Sequence, residues 1–414
     1  METPKKAQTF VDAYSNSLEG RGMEGRDLTR YDRPAELKNF TLRQLERAYN
    51  GGGLHARVVD IFPEEALRNG FTFTVDGDEE LGQQVYDYME TRGMFTALAD
   101  ALVHSRIYGG TALLLGTTDT DLRKQPGEVA SVRWARSLGG GVQPDRDSVD
   151  TDLLSPTFGQ PKFVTMRRTD GTTTEIDARR VVLLRGEPRA GARPHELGVS
   201  SIERHWDSVS ALETVVGSMA KMAREGATKN LEIDELDDII EADEGKTAIQ
   251  NRARNLEYGA GAYNVLITQK GKEALQFIAP DLKGFPANID KLVEQVCASV
   301  GAPVTVLFGQ SVGGLGTGAD ENRRWRDRVR SYQTKTVEPA IRAMFEICSR
   351  AADFPAHGVD PLSFSVTSAP LDVESGQDRA ETGRRWAEVA TELFEAGLAN
   401  EDEAKAILAR GGLL

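Results

Sequence analysis

The chain has 414 residues, enough for two or three domains of ordinary size. Its 39% hydrophobic and 28% charged residues exclude wholesale disorder. A net charge of −14 disfavours a simple sequence-independent grip on nucleic acid through phosphate neutralisation, and two lone cysteines, Cys297 and Cys348, exclude a disulfide framework.

Residues 1–34 are polar and rich in Gly, Arg and Asp, and roughly the first 25 are expected to be mobile or ordered only by a neighbour. Helical spacing follows in Leu37, Leu42, Leu45 and Tyr49 and ends at Gly51-Gly52-Gly53. An apolar segment, His55 to Glu65, is stopped by Asn69-Gly70, and Phe71 to Val75 alternates as a strand does. Helices are predicted over Glu79–Arg92 and through Phe95, Leu98, Leu102 and Val103 to Tyr108-Gly109-Gly110. Thr111 to Leu115 reads as a buried strand. Residues 116–160 are mixed. Phe163–Arg168 and Val181–Leu184 read as strands, with Asp170-Gly171 suited to a tight turn after the first.

A long helix is predicted from Ser200 to Arg224, because Ile202, Val209, Leu212, Val216, Met219 and Ala223 share one face. Residues 229–285 then read as a small α/β insert. It opens on an acid run from Glu232 to Glu244 and continues with a helix from Lys246 to Tyr258. A hairpin of Tyr263–Thr268 with Ala274–Ile278 closes it. A second long helix, Pro286 to Val300, carries Ile289, Leu292, Val293, Val296 and Val300. Residues 303–319 are apolar, then glycine-rich. An arginine-rich helix from Asp320 to about Ala352 follows, then a strand at 361–368. Asp378 to Leu414 reads as two helices, the second opened by Asn400 and Glu403 in capping-box spacing. The fold class is α+β. No apolar run follows the first residues or approaches the roughly 18 needed to span a bilayer, so a soluble protein made in the cytoplasm, without a signal peptide, is expected.

Catalytic signals are sparse. Gly309-Gln310-Ser311-Val312-Gly313 fits the nucleophile-elbow pattern, with His357 in the right chain order for a serine hydrolase. An elbow needs a strand before it, however, and a long helix stands there. The glycines from Gly313 to Gly318 are not followed by the Gly-Lys-Ser/Thr of a P-loop, so no ATP hydrolysis is expected. His55, His104, His195, His205 and His357 are scattered. No metal and no cofactor are expected.

Four stretches carry a resemblance to a known family. They are Arg57-Val58-Val59-Asp60-Ile61-Phe62-Pro63-Glu64-Glu65-Ala66 leading to Gly70-Phe71, then Ala101 to Gly116 around Tyr108-Gly109-Gly110, and Leu197-Gly198-Val199-Ser200-Ser201-Ile202. The most specific runs from Gly301-Ala302-Pro303-Val304-Thr305-Val306-Leu307-Phe308 to Tyr332-Gln333. These stretches, with the order helix, small insert, helix, apolar Gly-rich loop and helix, resemble the bacteriophage portal proteins. Glu321-Asn322 keeps part of that family's pattern after the loop, whereas the basic run Arg323-Arg324-Trp325-Arg326 departs from it. The resemblance implies a portal-type fold with a wing at 1–204 and 320–373 and stem helices at 205–228 and 286–302. It further implies a clip at 229–285, a tunnel loop at 303–319 and a helical crown at 374–414.

It also implies a ring of about twelve copies at one capsid vertex of the virion, assembled in the host cytoplasm. That ring would pass double-stranded DNA during packaging and ejection. Implied partners are the large terminase subunit, a head–tail adaptor, and the major capsid and scaffolding proteins. In this reading Val304, Val306, Gln310, Val312 and Leu315 line the channel, where apolar groups form no strong bond with phosphate and do not trap the polymer. The alternative for Val304 to Phe308 is a buried strand ending in a glycine turn. Arg323, Arg324, Arg326, Arg328 and Arg330 could reach phosphates or pair with acids within the chain or on the next subunit. Glu232, Asp234, Glu235, Asp237, Asp238 and Glu241 are either a docking face for a basic partner or a solvated helix face. Net negative charge lining the bore would keep DNA centred. The competing readings are the hydrolase at Ser311 and another structural protein of a phage head or neck.

Overall fold

The computed structural model describes residues 38–119, 121–127, 129–155, 157–167, 171–191, 193, 196–225, 228–233, 247, 251, 273–278, 284–309, 318–371 and 376–395. The chain divides into two units, Met1–Arg204 with Gly301–Leu414, and His205–Val300.

The first unit begins with α1 (Leu42–Asn50), whose N-terminus is closed by a capping box between Thr41 and Gln44. α2 (Gly53–Leu67) follows, then β1 (Phe71–Val75), α3 (Glu79–Thr91) and α4 (Met94–Tyr108). The Asp78 carboxylate caps α3 through the amides of Glu80 and Leu81. α4 ends at Gly109, at φ +79°. A Cβ there would come within 2.8 Å of the Gly198 carbonyl oxygen, so Tyr108-Gly109-Gly110 marks a close backbone crossing.

β2 (Gly110–Thr117) is central to an antiparallel sheet of order β3-β2-β7, with β3 at Val132–Ser137 and β7 at Val181–Arg185. A second antiparallel sheet joins β4 (Val142–Pro144), β5 (Phe163–Arg167) and β6 (Thr173–Asp177). Ala112 and Leu114 of β2, Val181 of β7, and Val142, Val164 and Ile176 of the second sheet pack into one buried cluster. The sequence patterns of β3, β4 and β6 are too short or too polar to stand out. They are strands because the neighbouring strands supply their hydrogen bonds.

After residue 300 comes α7 (Val304–Leu307), a single turn rather than the buried strand considered for Val304 to Phe308. The arginine-rich helix is one continuous path in three parts: α8 (Gly318–Tyr332), a π-helical segment (Gln333–Val337) and α9 (Glu338–Cys348). Pro339 supplies a cause for the π segment. It lacks an N–H, and its ring would press on the carbonyl four residues back, at Lys335. α9 packs on β10 (Phe364–Ser368), which pairs with β1, and the Phe345 and Phe364 rings stack at 4.1 Å. α10 (Gly376–Glu395) is the last described element of this unit.

α5 (Ser201–Glu225) starts in the first unit and continues into the second. Within the second unit β8 (Thr228–Ile233) pairs antiparallel with β9 (Glu273–Ile278), and α6 spans Phe285–Val300. β9 matches the strand predicted at Ala274–Ile278. Among the described residues its partner is the segment around Glu232, not the expected Tyr263–Thr268, which lies outside the described residues together with the predicted helix at 246–258. On α5, Val209 and Leu212 are buried as predicted, but Val216 on the same stripe is 41% exposed. On α6, Val296 and Val300 are buried.

Candidate functional site

The apolar stretch that sequence reasoning singled out is tied to α2 and α8. The Arg57 guanidinium pairs with Glu64 at 2.6 Å and donates to the Val306 carbonyl at 3.1 Å. The Thr305 hydroxyl lies 3.4 Å from the Asn322 side-chain oxygen. Val304 and Val306 are half-buried, and Leu307 is buried. The chain therefore arrives at Gly309 fixed on both sides. Gln310, Val312 and Leu315 lie outside the described residues, as does Ser311.

α8 presents two faces. Trp325 and Val329 are buried, and Phe62 of α2 packs its ring 4.8 Å from Trp325 and 5.6 Å from Tyr332. Burial pushes the Tyr332 phenol up to about 12. The opposite face carries the predicted arginines, which the structure sorts into different roles. Arg323 and Arg324 are exposed, with no ion pair among the described residues. Arg326 is half-buried. Arg328 lays its guanidinium where a side chain on Gly301 would sit, and Gly301 holds φ +76°. Arg330 pairs with buried Glu338 at 3.0 Å, and Glu338 also accepts the Ser368 hydroxyl at 2.9 Å. At the π segment, the buried Gln333 side chain donates to the Ala66 carbonyl at 2.8 Å.

Sequence reasoning missed the hub behind this frame. Arg106 of α4 is buried and donates to the Val59 carbonyl, the Val58 carbonyl and Glu187 Oε1, each at 2.9 Å. Pro63 lies four residues after Val59 inside α2 and has no N–H to offer that carbonyl, so Arg106 takes its place. Glu187 Oε1 also accepts the Ser201 hydroxyl at 2.9 Å at the start of α5. One guanidinium thus joins α2, α4, the loop after β7 and the root of α5. A second buried arginine, Arg180, bonds the Lys124 carbonyl at 2.6 Å, Thr117 and Asp119. Its hydrogen bonds hold the Asp119 carboxyl down at about 2. The only early signal for either group was an arginine inside an apolar segment.

Of the predicted docking acids, Glu232 lies in β8, on a strand rather than a helix. Asp234, Glu235, Asp237, Asp238 and Glu241 lie outside the described residues. The approach to Gly309 is helical, without the strand a nucleophile elbow requires, and His357 Nδ1 is 3.1 Å from the Ser349 carbonyl oxygen. Among the described residues no helix is long and apolar enough to cross a membrane.

A family model described as "Phage portal protein" matches residues 43–392, which cover both units. An uncharacterized protein of Haemophilus influenzae (strain ATCC 51907 / DSM 11121 / KW20 / Rd) is 23% identical over 407 residues, covering 94% of this chain and 87% of that protein. The anti-CBASS protein Acb1 of Caulobacter sp. (strain RHG1) is 20% identical over 377 residues, covering 85% of this chain and 58% of that protein. Among solved structures, a chain from the neck of a native GTA particle computed with C12 symmetry shares the fold. Its TM-score is 0.52 and its identity 12%, with 91% of this chain and 95% of that chain covered.

Proposed function

The chain belongs to the phage portal protein family, and from that premise we propose that its copies close into a ring that conducts double-stranded DNA through one capsid vertex. The carrying observation is the family match from residue 43 to 392, a span that includes the segment leading into the proposed tunnel loop. Residues 1–204 and 320–373 then make the wing. The stem helices are 205–228 and 286–302, the clip is 229–285, the tunnel loop is 303–319 and the crown is 374–414. The ring has about twelve members, as in the C12 neck whose chain shares the fold.

The physical chemistry of the chain suits a passive conduit. Twelve chains at −14 each bring about −168 before counterions, and a negative bore repels phosphate on all sides. Val304, Val306, Gln310, Val312 and Leu315 offer a duplex little that would bind phosphate. The energy for packaging comes from a separate motor, the large terminase subunit, docked with the later head–tail adaptor at the clip through Glu232, Asp234, Glu235, Asp237, Asp238 and Glu241. The major capsid and scaffolding proteins are its further partners in head assembly. Val216 is exposed and Met219 half-buried on a stripe whose Ile202, Val209 and Leu212 are buried, which suits a helix whose remaining cover comes from a neighbouring copy. Arg323 and Arg324 are available to a neighbour's carboxylates or to DNA, and the acidic character of the chain favours the carboxylates.

Negative-stain electron microscopy of the purified chain tests the reading. Rings with a hole wide enough for a duplex are expected, and monomers or solid particles at every concentration would overturn it. Deleting Val312 to Gly316 should leave rings intact while impairing packaging or DNA retention.

A further inference from the structure

One cavity of the first unit is not used by this reading. It has a volume of about 710 Å³, within the range of binding clefts, and it follows the whole of β7 and the next residue, from Val181 to Gly186. That path is roughly 17 Å at the usual rise per strand residue. β7 is an edge strand. β2 pairs with one side of it, and no strand among the described residues pairs with the other.

The register shows which backbone groups face the open side. Gly186 donates its amide to the Gly109 carbonyl at 3.0 Å, so Gly109 and Gly186 are a hydrogen-bonded pair. Alternation makes Thr111–Leu184 and Leu113–Val182 the next bonded pairs, and leaves Ala112–Leu183 non-bonded. Ala112 confirms the phase: its carbonyl turns the other way and accepts from Leu138 at 2.9 Å. The Leu183 N–H and C=O therefore point away from β2, and neither has a backbone partner among the described residues. An unpaired edge of this kind is a template for another strand.

The walls supply the rest of the recognition. Pro339, Ala340 and Ala343 of α9 are small and leave room beside the strand. The lining carries Lys162, Arg179, Arg185 and Lys335 against Asp150 and Asp177, a cationic surplus in a chain of net charge −14. Asp177 is occupied by Arg179 at 2.7 Å, and Asp150 accepts the Ser155 and Thr157 hydroxyls at 2.6 and 2.7 Å. Lys162 and Lys335 are exposed, on different walls; neither makes an ion pair among the described residues, and Lys162 lies near enough to Asp150 to help hold its carboxyl down.

We propose that this cleft is a strand-addition site, where an extended, acidic polypeptide segment of a partner protein pairs with the open edge of β7. Main-chain hydrogen bonds at Leu183 would hold the segment, and carboxylates on alternate residues would face Lys162 and Lys335. All the lining residues of the site belong to a single chain.

The test uses the full-length protein and two fluorescent hexapeptides, one alternating glutamate with valine and the other lysine with valine. Binding is read by anisotropy near 0.15 M salt and hydrogen exchange at the Leu183 amide. The acidic peptide should bind at least about tenfold more tightly than the basic one and slow Leu183 exchange by about tenfold or more. A Lys162→Glu, Lys335→Glu double variant should lose about tenfold in affinity. Leu183→Pro, which removes the edge N–H, should abolish binding while Leu183→Val retains it, each variant checked for native circular dichroism. Should Leu183→Pro fail to fold, the exchange measurement and the charge variants decide. Equal affinity for the two peptides, binding without protection of Leu183, or no binding at about 1 mM overturns the proposal. So does protection that rises with protein concentration alone, which would give the edge to a second copy.

Discussion

Replacing Arg106 with methionine removes the hub while keeping most of its volume. The side chain is 6% exposed, and its guanidinium makes three hydrogen bonds of 2.9 Å, to Val58, Val59 and Glu187. Breaking a buried pair by removing one partner costs about 3–5 kcal/mol, because the other charge stays buried. Glu187 is 20% exposed and keeps the Ser201 hydroxyl at 2.9 Å and Arg204 at 3.5 Å, which places its share at the lower end. The Val59 carbonyl, without an intrahelical donor because of Pro63, adds about 1 kcal/mol or more as an unsatisfied acceptor. The expected loss is about 4 kcal/mol, or roughly 6 °C in Tm for a unit of this size, at about 2.1 cal/mol/K of unfolding entropy per residue. Scanning calorimetry and urea unfolding measure it. The double variant Arg106→Met, Glu187→Met should cost less than the sum of the single ones, since it leaves no buried charge unpaired. A single-variant loss under about 1 kcal/mol, or strict additivity, would refute the hub.

Three further outcomes are expected. Gly301→Ala should destabilise by about 1–2 kcal/mol in chemical unfolding, since alanine at φ +76° is strained. Adding Arg328→Ala should relieve only the overlap with the guanidinium, and complete rescue would show that φ does not matter. The Asp119 carboxyl, lowered to about 2 chiefly by Arg180, stabilises the fold above its unfolded value of 3.8 and loses that contribution as pH falls through about 2. With the side chain 33% exposed, the effect is about 1–2 kcal/mol. The stability gap between wild type and Asp119→Asn should be constant from pH 5 to 8 and shrink towards pH 2; an equal gap at pH 2 and pH 7 contradicts this. Reversing Arg323 and Arg324 to glutamate should leave the melting of the isolated chain unchanged within about 0.5 kcal/mol but weaken ring formation in a salt-dependent way, as seen by sedimentation velocity. Unaltered ring assembly would rule out pairing with a neighbour's carboxylates and leave these arginines to DNA or solvent.

Helices and long strands were legible because their periodicity is local. The Val209 and Leu212 stripe, the alternation of Phe71 to Val75 and the stop at Tyr108-Gly109-Gly110 can be read within a dozen residues. The resemblance carried by the stretch from Gly301 to Gln333 led to the family for the same reason, since a motif is contiguous. The arginines after the loop were visible as a run, but not as the separate environments they occupy. Arg330 meets Glu338 across a helix segment that Pro339 distorts, and Arg328 fills the space left by Gly301.

Composition and pattern by themselves determined a long-helix α+β chain with an apolar stretch leading into a glycine-rich one, and the contiguous motifs added the resemblance to the portal family. They also set aside a P-loop, because its lysine is missing. Tertiary structure decided which strand pairs with which: β9 with the segment at Glu232, and β7 at a sheet edge with Leu183 facing outward. It also decided that buried Arg106 supplies the hydrogen bond Pro63 withholds from α2. Pairing and burial join residues scores of positions apart, and their free energy depends on which polar groups are left without water. A one-dimensional pattern does not carry that information.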